Sequence, residues 1–297
     1  RRWMSHKNPY TGLTWAEEPA LYCINLVNEE VLTGNWNRTS SSVKLYEAAF
    51  AEYCAKKRLK GGAASNTNPV FLRFLYELQD RVLAEQIRFV KETLDVKAMV
   101  TSLNHQNQIP LTLLRRRFDL VDNHAYFDHP GFPEKQWSLP FSYRQVSALR
   151  RMAVVPRNLM ATRLPGKPFI VTEFNYCNPN LYRAEGGPLI GAYAALQNWD
   201  ALYRFAWSHS ASGIYKVGGA YGFDVVNDPM AQLSDRIAIA MFRRGDVAPA
   251  KVIYAYTVSP KCFERNEFDA FPVAFQNLGL IAGIGSVPEG DRTVPRG

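Results

Sequence analysis

The sequence predicts an α/β fold made of repeated strand–helix units. Short apolar stretches alternate along the chain with longer segments in which apolar residues recur every three or four positions. The 297 residues, of which 47% are hydrophobic, are enough to bury a sizeable core, and there is no low-complexity tract. Strands that alternate with helices in this way pair in parallel, through connections that are almost always right-handed.

Five predicted strands alternate with predicted helices along the chain. The first strand lies in the segment LYCINLVNEE, and the helix after it stops at Gly61 and Gly62. Pro165 and Gly166 mark the turn that precedes the fourth strand. The predicted strands cover residues 21–27, 96–103, 118–122, 167–172 and 203–207. The predicted helices cover residues 40–59, 68–94, 142–152, 188–201 and 229–242.

Each predicted strand delivers polar or aromatic residues at its carboxyl end. These residues are Asn28 and Glu29, Asn104 and His105, His124 and Tyr126, Glu173 and Asn175, and Trp207 and His209. In a (β/α)8 barrel and in a doubly wound sheet alike, ligands bind at that end of the strands. A doubly wound nucleotide-binding fold would normally show a Gly-rich phosphate loop between a strand and its helix, and none is present. The barrel is therefore the favoured prediction.

Two carboxylates, Glu29 and Glu173, end strands that lie three units apart. Glycoside hydrolysis needs such a pair, because one carboxyl group protonates the leaving oxygen while the other attacks the sugar or activates water. The alternative is that both are surface glutamates at strand ends. A carboxyl separation of about 5 to 5.5 Å would indicate retention of configuration, and about 6.5 to 9.5 Å would indicate inversion.

The chain resembles glycoside hydrolase clan A, the retaining glycosidases built on a (β/α)8 barrel. In that clan the acid/base Glu follows an Asn on strand four, as Asn28 and Glu29 do in LVNEE, and the nucleophile ends strand seven, as Glu173 does in PFIVTEFN. The segments VDNHAYFDHP and FAWSHS fit the positions of strands six and eight. Glu30 is the internal rival to Glu29, which is preferred because it directly follows the Asn.

The resemblance implies a role for each candidate residue. Glu29 would be the general acid/base and Glu173 the nucleophile, while Asn28 would donate to the sugar 2-hydroxyl. The remaining expected substrate-binding and positioning residues are Asn104, His105, His124, Tyr126 and Trp207. His124 or Tyr126 would hold Glu173 in place, and Trp207 would give the sugar an aromatic floor, although each could instead be a satisfied polar or core residue. No cofactor and no metal are expected.

The resemblance also implies a partial barrel. Strands one to three would need roughly 100 residues before Glu29, and only about twenty precede that strand. We therefore expect residues 1–249 to form strands four to eight of the barrel and residues 250–297 to begin a C-terminal accessory β region. The missing strands would come from the same protein or from a second chain, and an enzyme of this kind would be expected to be secreted or periplasmic.

Composition limits the other function classes. The formal net charge is +8, but Lys and Arg are scattered, which gives a nucleic-acid-binding function little support. No apolar run is long enough to predict a membrane span, and Cys23, Cys54, Cys177 and Cys262 form no zinc-binding or disulfide pattern. The alternative function is a non-catalytic carbohydrate-binding protein on a degenerate barrel, which would bind sugar but show no hydrolysis.

Overall fold

The computed structural model describes residues 1–215 and 221–291. Its strands are β1 (Cys23–Asn25), β2 (Met99–Thr101), β3 (Val121–Phe127), β4 (Phe169–Tyr176), β5 (Ala201–Arg204), β6 (Ile253–Val258) and β7 (Gly283–Pro288). Its α-helices are α1 (Leu32–Asn35), α2 (Ser40–Lys57), α3 (Pro69–Arg88), α4 (Leu111–Arg115), α5 (Val154–Met160), α6 (Gly186–Leu196), α7 (Ala211–Tyr215), α8 (Pro229–Phe242) and α9 (Val273–Leu278).

The chain divides into two compact units. The first consists of Arg1–Val121, Val258–Ala270 and Pro288–Gly290. The second consists of Asp122–Thr257 and Phe271–Val287, together with the described residue Asp291. No helix within the described parts of the chain is both long and apolar enough to cross a membrane.

In the first unit, β1 and β2 pair in parallel and a pair of helices supplies a core. Cys23 lies opposite Met99, and Asn25 opposite Thr101. Helix α3 begins at Pro69. The side chain of the preceding Asn68 accepts hydrogen bonds from the backbone N–H groups of Val70 and Phe71, in the first turn of the helix. The apolar faces of α2 and α3 bury a cluster that consists of Trp36, Phe50, Cys54, Phe71, Phe74 and Leu75.

In the second unit, β4 lies between β3 and β5, and β4 and β5 run parallel. Helix α6 packs closely on α8. The approach is so close that a Cβ atom at Gly187 would lie 1.8 Å from the Ser234 carbonyl oxygen. One turn later, a Cβ at Gly191 would lie 2.6 Å from the Ala238 Cα. The two glycines therefore let the helix backbones approach each other.

Several sequence-based expectations are confirmed. Helix α8 has the predicted bounds, and α2 ends two residues before the predicted end. Helix α3 ends at Arg88, and a π-helical turn, Phe89–Thr93, extends to one residue before the predicted end. The parallel α/β class is also confirmed. Within the described ranges the sheets do not close into a barrel.

The predicted helix over 142–152 is wrong, since the helix here is α5, which begins at Val154. The backbone N–H groups of Gln145 and Leu149 donate to the carboxylates of Asp128 and Glu185 instead of entering helical hydrogen bonds. Gln145 also has φ of 54°, in the left-handed region that a right-handed helix excludes. Contacts with distant segments therefore override the local helical pattern.

Strand bounds also differ from the predicted ones. Strand β3 continues to Phe127, so that His124 and Tyr126 lie within it and not beyond its end. Strand β4 likewise continues to Tyr176 and contains Glu173. The predicted start of an accessory region contains β6 and β7, while its last residues, 292–297, lie outside the described residues.

Candidate active site

Glu173 lies on an irregular part of β4. Between Val171 and Phe174 the chain advances three positions on β4, whereas their partners Leu202 and Arg204 are only two positions apart on β5. One extra residue in a strand is a β-bulge, which changes the direction of the neighbouring side chains. Thr172 and Glu173, which would point to opposite faces of a regular strand, both reach His124 here.

Two side chains of β3 contact the Glu173 carboxylate. The Tyr126 hydroxyl donates to Oε2 at 2.5 Å, and the His124 Nδ1 lies 3.6 Å from Oε1. His124 and Tyr126 are two positions apart and therefore share one face of the strand. The Glu173 side chain keeps 21% of its surface exposed, whereas the His124 side chain is buried. The carboxylate is thus oriented from one side and remains accessible.

A chain of hydrogen bonds fixes the His124 ring. The Thr172 hydroxyl donates to the buried Asp122 Oδ2 at 2.5 Å, and the Thr172 backbone N–H donates to Oδ1 at 3.0 Å. Because the single hydroxyl proton is directed at Asp122, the Thr172 oxygen accepts from the His124 Nε2–H at 2.8 Å. Nε2 therefore carries a proton, and Nδ1 is the ring atom that faces Glu173.

In the first unit, Glu29 lies on the loop that follows β1. Its φ of 53° places it in the left-handed region, which is uncommon for a residue with a side chain. The Asn104 Oδ1 accepts the Glu29 N–H at 2.8 Å, and Asn35 Nδ2 donates to the Glu29 carbonyl at 2.8 Å. Asn104 also donates to the Asn28 Oδ1 at 3.0 Å. Asn28, Glu29 and Asn104 are thus brought together as predicted.

Glu30 has a different environment from Glu29. Its Oε1 accepts the Ser102 hydroxyl at 2.6 Å and the Leu103 N–H at 3.1 Å, and Oε2 lies 3.4 Å from the same N–H. These bonds join the loop after β1 to the loop after β2. They give Glu30 a structural function.

Arg115 holds the loop after β2 through hydrogen bonds to its backbone. Its side chain is fully buried, and its guanidinium donates to the carbonyl oxygens of Leu103, His105 and Gln106. Leu103 and Gln106 both have positive φ, so this loop departs from regular structure at two points. The buried cation accounts for the sharp path that brings Asn104 to Glu29. His105, the other predicted residue here, is half-buried.

Trp207 and His209 follow β5 in the second unit. The Trp207 side chain is 56% exposed, which fits an aromatic floor better than a core tryptophan. The His209 Nδ1 forms a short hydrogen bond with Asp224, and its ring lies 5.1 Å from that of Phe205. Asn175 instead donates to the carbonyls of Phe205 and Phe223, a structural function.

The predicted residues therefore fall into two groups, one in each unit. The pairing of Glu29 with Glu173 stays a prediction. Sequence reasoning missed Asp122, Thr172 and Arg115. The sequence does carry a signal for Asp122. It lies two residues before His124, which lies two residues before Tyr126, so the three side chains share one face of the strand.

Comparisons of the chain with protein-family models, with curated proteins and with solved structures found no match.

Proposed function

We propose that this chain is the carboxyl-terminal part of a (β/α)8 retaining glycosidase that cleaves β-linked oligo- or polysaccharides. The observation that carries the proposal is the accessible Glu173 carboxylate on a parallel strand, with the Tyr126 hydroxyl bound to one oxygen and the His124 ring beside the other. A nucleophile that is oriented before the substrate arrives needs little reorganisation during the reaction.

In the proposed mechanism, a Glu173 oxygen attacks the anomeric carbon of the sugar. The glycosidic C–O bond breaks, and the leaving oxygen takes the proton of Glu29. A water molecule then attacks the same anomeric carbon while the Glu29 carboxylate takes one of its protons. The bond to the Glu173 oxygen breaks, which releases the sugar and regenerates Glu173. No cofactor takes part in either step.

The other candidate residues would bind the sugar. Asn28 would donate to the 2-hydroxyl, an interaction that strengthens in the transition state. The exposed Trp207 indole would pack against the apolar face of the ring. Asn104 and His105 would contact further parts of the substrate. Asn104 already orients Asn28, so its first contribution would be to position that amide.

The remaining strands of the proposed barrel would dock on β5. Strand β5 has β4 as its one neighbour within the described parts of the chain, and Tyr203 is 44% exposed. The Arg204 side chain is largely buried, yet its Nε and Nη2 have no hydrogen-bond partner among the described residues. A parallel strand added at this edge would offer backbone carbonyls to these donors.

The direct test is hydrolysis of neutral β-linked oligosaccharides by the wild-type chain and by Glu173→Gln. An enzyme should lose at least about a thousandfold in kcat while still binding sugar, because the amide cannot act as the nucleophile. The matched control, Glu264→Gln, changes an exposed glutamate of the first unit and should leave hydrolysis unchanged.

Two outcomes separate the alternatives. A 2-deoxy-2-fluoro glycoside should trap the glycosyl–enzyme, and mass spectrometry of the peptides should find the label on Glu173. If the chain binds oligosaccharide but neither cleaves it nor takes the label, even with the missing strands supplied, it is a carbohydrate-binding protein without catalysis.

A further inference from the structure

An exposed tryptophan of the second unit rests on other aromatic rings. Trp137, on the segment between β3 and α5, is 52% exposed. Its ring centroid lies 4.7 Å from that of Phe132, 5.6 Å from that of His129 and 6.0 Å from that of Phe223. One part of the indole is therefore supported by rings while the rest is open to solvent.

The same rings lead to the candidate nucleophile. Phe223 is buried, and its centroid lies 5.2 Å from that of Tyr126. The Tyr126 hydroxyl in turn donates to Glu173. Two ring-to-ring steps thus separate Tyr126 from Trp137, so a sugar packed on Trp137 would be a different unit from the one held at Glu173.

The segment that carries Trp137 is held at both ends. Gly131 and Ser142 exchange two backbone hydrogen bonds, of 2.8 and 3.0 Å. The buried Asp128 accepts from the Arg144 guanidinium and from the Gln145 N–H. A side chain presented on a fixed segment loses little conformational freedom when it binds a ligand.

We propose that Trp137 is a second sugar platform, which binds a β-linked oligosaccharide chain beyond the unit whose bond is cleaved. The inference rests on the proposed function, since it assumes that the sugar unit whose bond is cleaved is held at Glu173. A supported and half-exposed indole suits a pyranose, which combines an apolar face with hydroxyl groups that stay in water. The substrate class that follows is a β-linked chain of several sugars.

The test compares Trp137→Ala with the wild type on soluble β-1,4-mannan, β-1,4-glucan and β-1,4-xylan and on the matching hexaoses. Retention in polysaccharide gels should weaken about three- to tenfold, because an aromatic contact contributes about 0.5–1.5 kcal/mol. The ratio of kcat/KM for the hexaose to that for an aryl monoglycoside should fall by a similar factor. Trp137→Phe should retain most of the affinity if the aromatic face binds the sugar. A purely structural role of the indole would not predict this retention.

The matched control is Trp3→Ala, which removes a 76% exposed indole of the first unit and should leave retention and the ratio unchanged. Unchanged retention and ratio in Trp137→Ala would overturn the platform, while loss of hydrolysis in Glu173→Gln would still support the enzyme. Weakened retention in a protein that hydrolyses nothing would support the platform and overturn catalysis. A wild-type chain that none of the three polysaccharides retains overturns the platform directly.

Discussion

The two candidate glutamates differ in what fixes them. Glu29 follows β1, a three-residue strand of half-buried side chains, and the bonds that hold it act on its backbone N–H and carbonyl. Glu173 lies within β4, an eight-residue strand that is mostly buried, and the contacts from β3 act on its carboxylate. The hydrogen bonds described for Glu29 thus fix its backbone, and those described for Glu173 fix its carboxylate.

The two glutamates are therefore sensitive to different substitutions. The Glu29 loop depends on the half-buried Glu30 carboxylate, and the loop after β2 depends on the buried Arg115 guanidinium. The Glu173 carboxylate depends on the Tyr126 hydroxyl, and the His124 ring beside it is fixed by the Thr172 hydroxyl. Changes in the first region should thus alter stability, and changes in the second should alter activity.

The largest effect on stability is expected for Arg115→Met. The change removes a buried cation from three carbonyl groups, and we expect the free energy of unfolding to fall by about 3 kcal/mol. Urea denaturation measures it. The control, Arg116→Met, alters the exposed neighbour and should change little. Equal losses in the two variants would show that Arg115 does not hold the loop.

Tyr126→Phe should mainly reduce activity. It removes a hydroxyl that donates to a carboxylate, an interaction of about 2 kcal/mol, so kcat/KM should fall about thirtyfold with little loss of stability. Steady-state kinetics and thermal denaturation measure the two effects.

Tyr176→Phe is the matched control for that change. The Tyr176 hydroxyl is buried with no hydrogen-bond partner within the described residues, and burial raises its pKa. Removing it should leave activity unchanged and stability unchanged or slightly higher. A comparable activity loss in both variants would contradict a specific role for Tyr126.

Thr172→Val should have a smaller effect, which tests the chain from Asp122 to His124. The substitution keeps the side-chain shape but removes the hydroxyl between them, and we expect unfolding free energy to fall by about 1 kcal/mol. The kcat/KM should fall as well, by less than in Tyr126→Phe, because the His124 ring beside Glu173 loses one of its hydrogen-bond partners. Thr172→Ser should restore both properties, and failure to do so would indicate a packing effect.

The smallest expected effect is a difference in thiol labelling between the two strands. Cys177, which follows β4, is buried, and burial raises its pKa to about 12. It should therefore stay protonated and resist iodoacetamide at pH 8, where thiolate is the reacting species. Cys23, in β1, is half-buried and should react first. Peptide mapping after brief alkylation measures this order, and faster labelling of Cys177 would show that β4 is more open than described.

Local sequence patterns specify the alternation of strands and helices and the main helices α2, α3 and α8. These elements follow from apolar periodicity and from caps such as Asn68 and Asp228, which are signals carried within a few residues. The sequence also placed Asn28 and Asn104 at strand ends, and their contact follows from the parallel pairing of β1 and β2.

Contacts between distant segments determine how the candidate side chains are held. The bulge in β4 turns Thr172 and Glu173 toward the same histidine, and Asp128 and Glu185 take the N–H groups that a helix over 142–152 would have used. The aromatic support of Trp137 likewise comes from Phe223, which is distant in sequence. Each of these features depends on hydrogen bonds or packing between segments far apart along the chain, which no local pattern encodes.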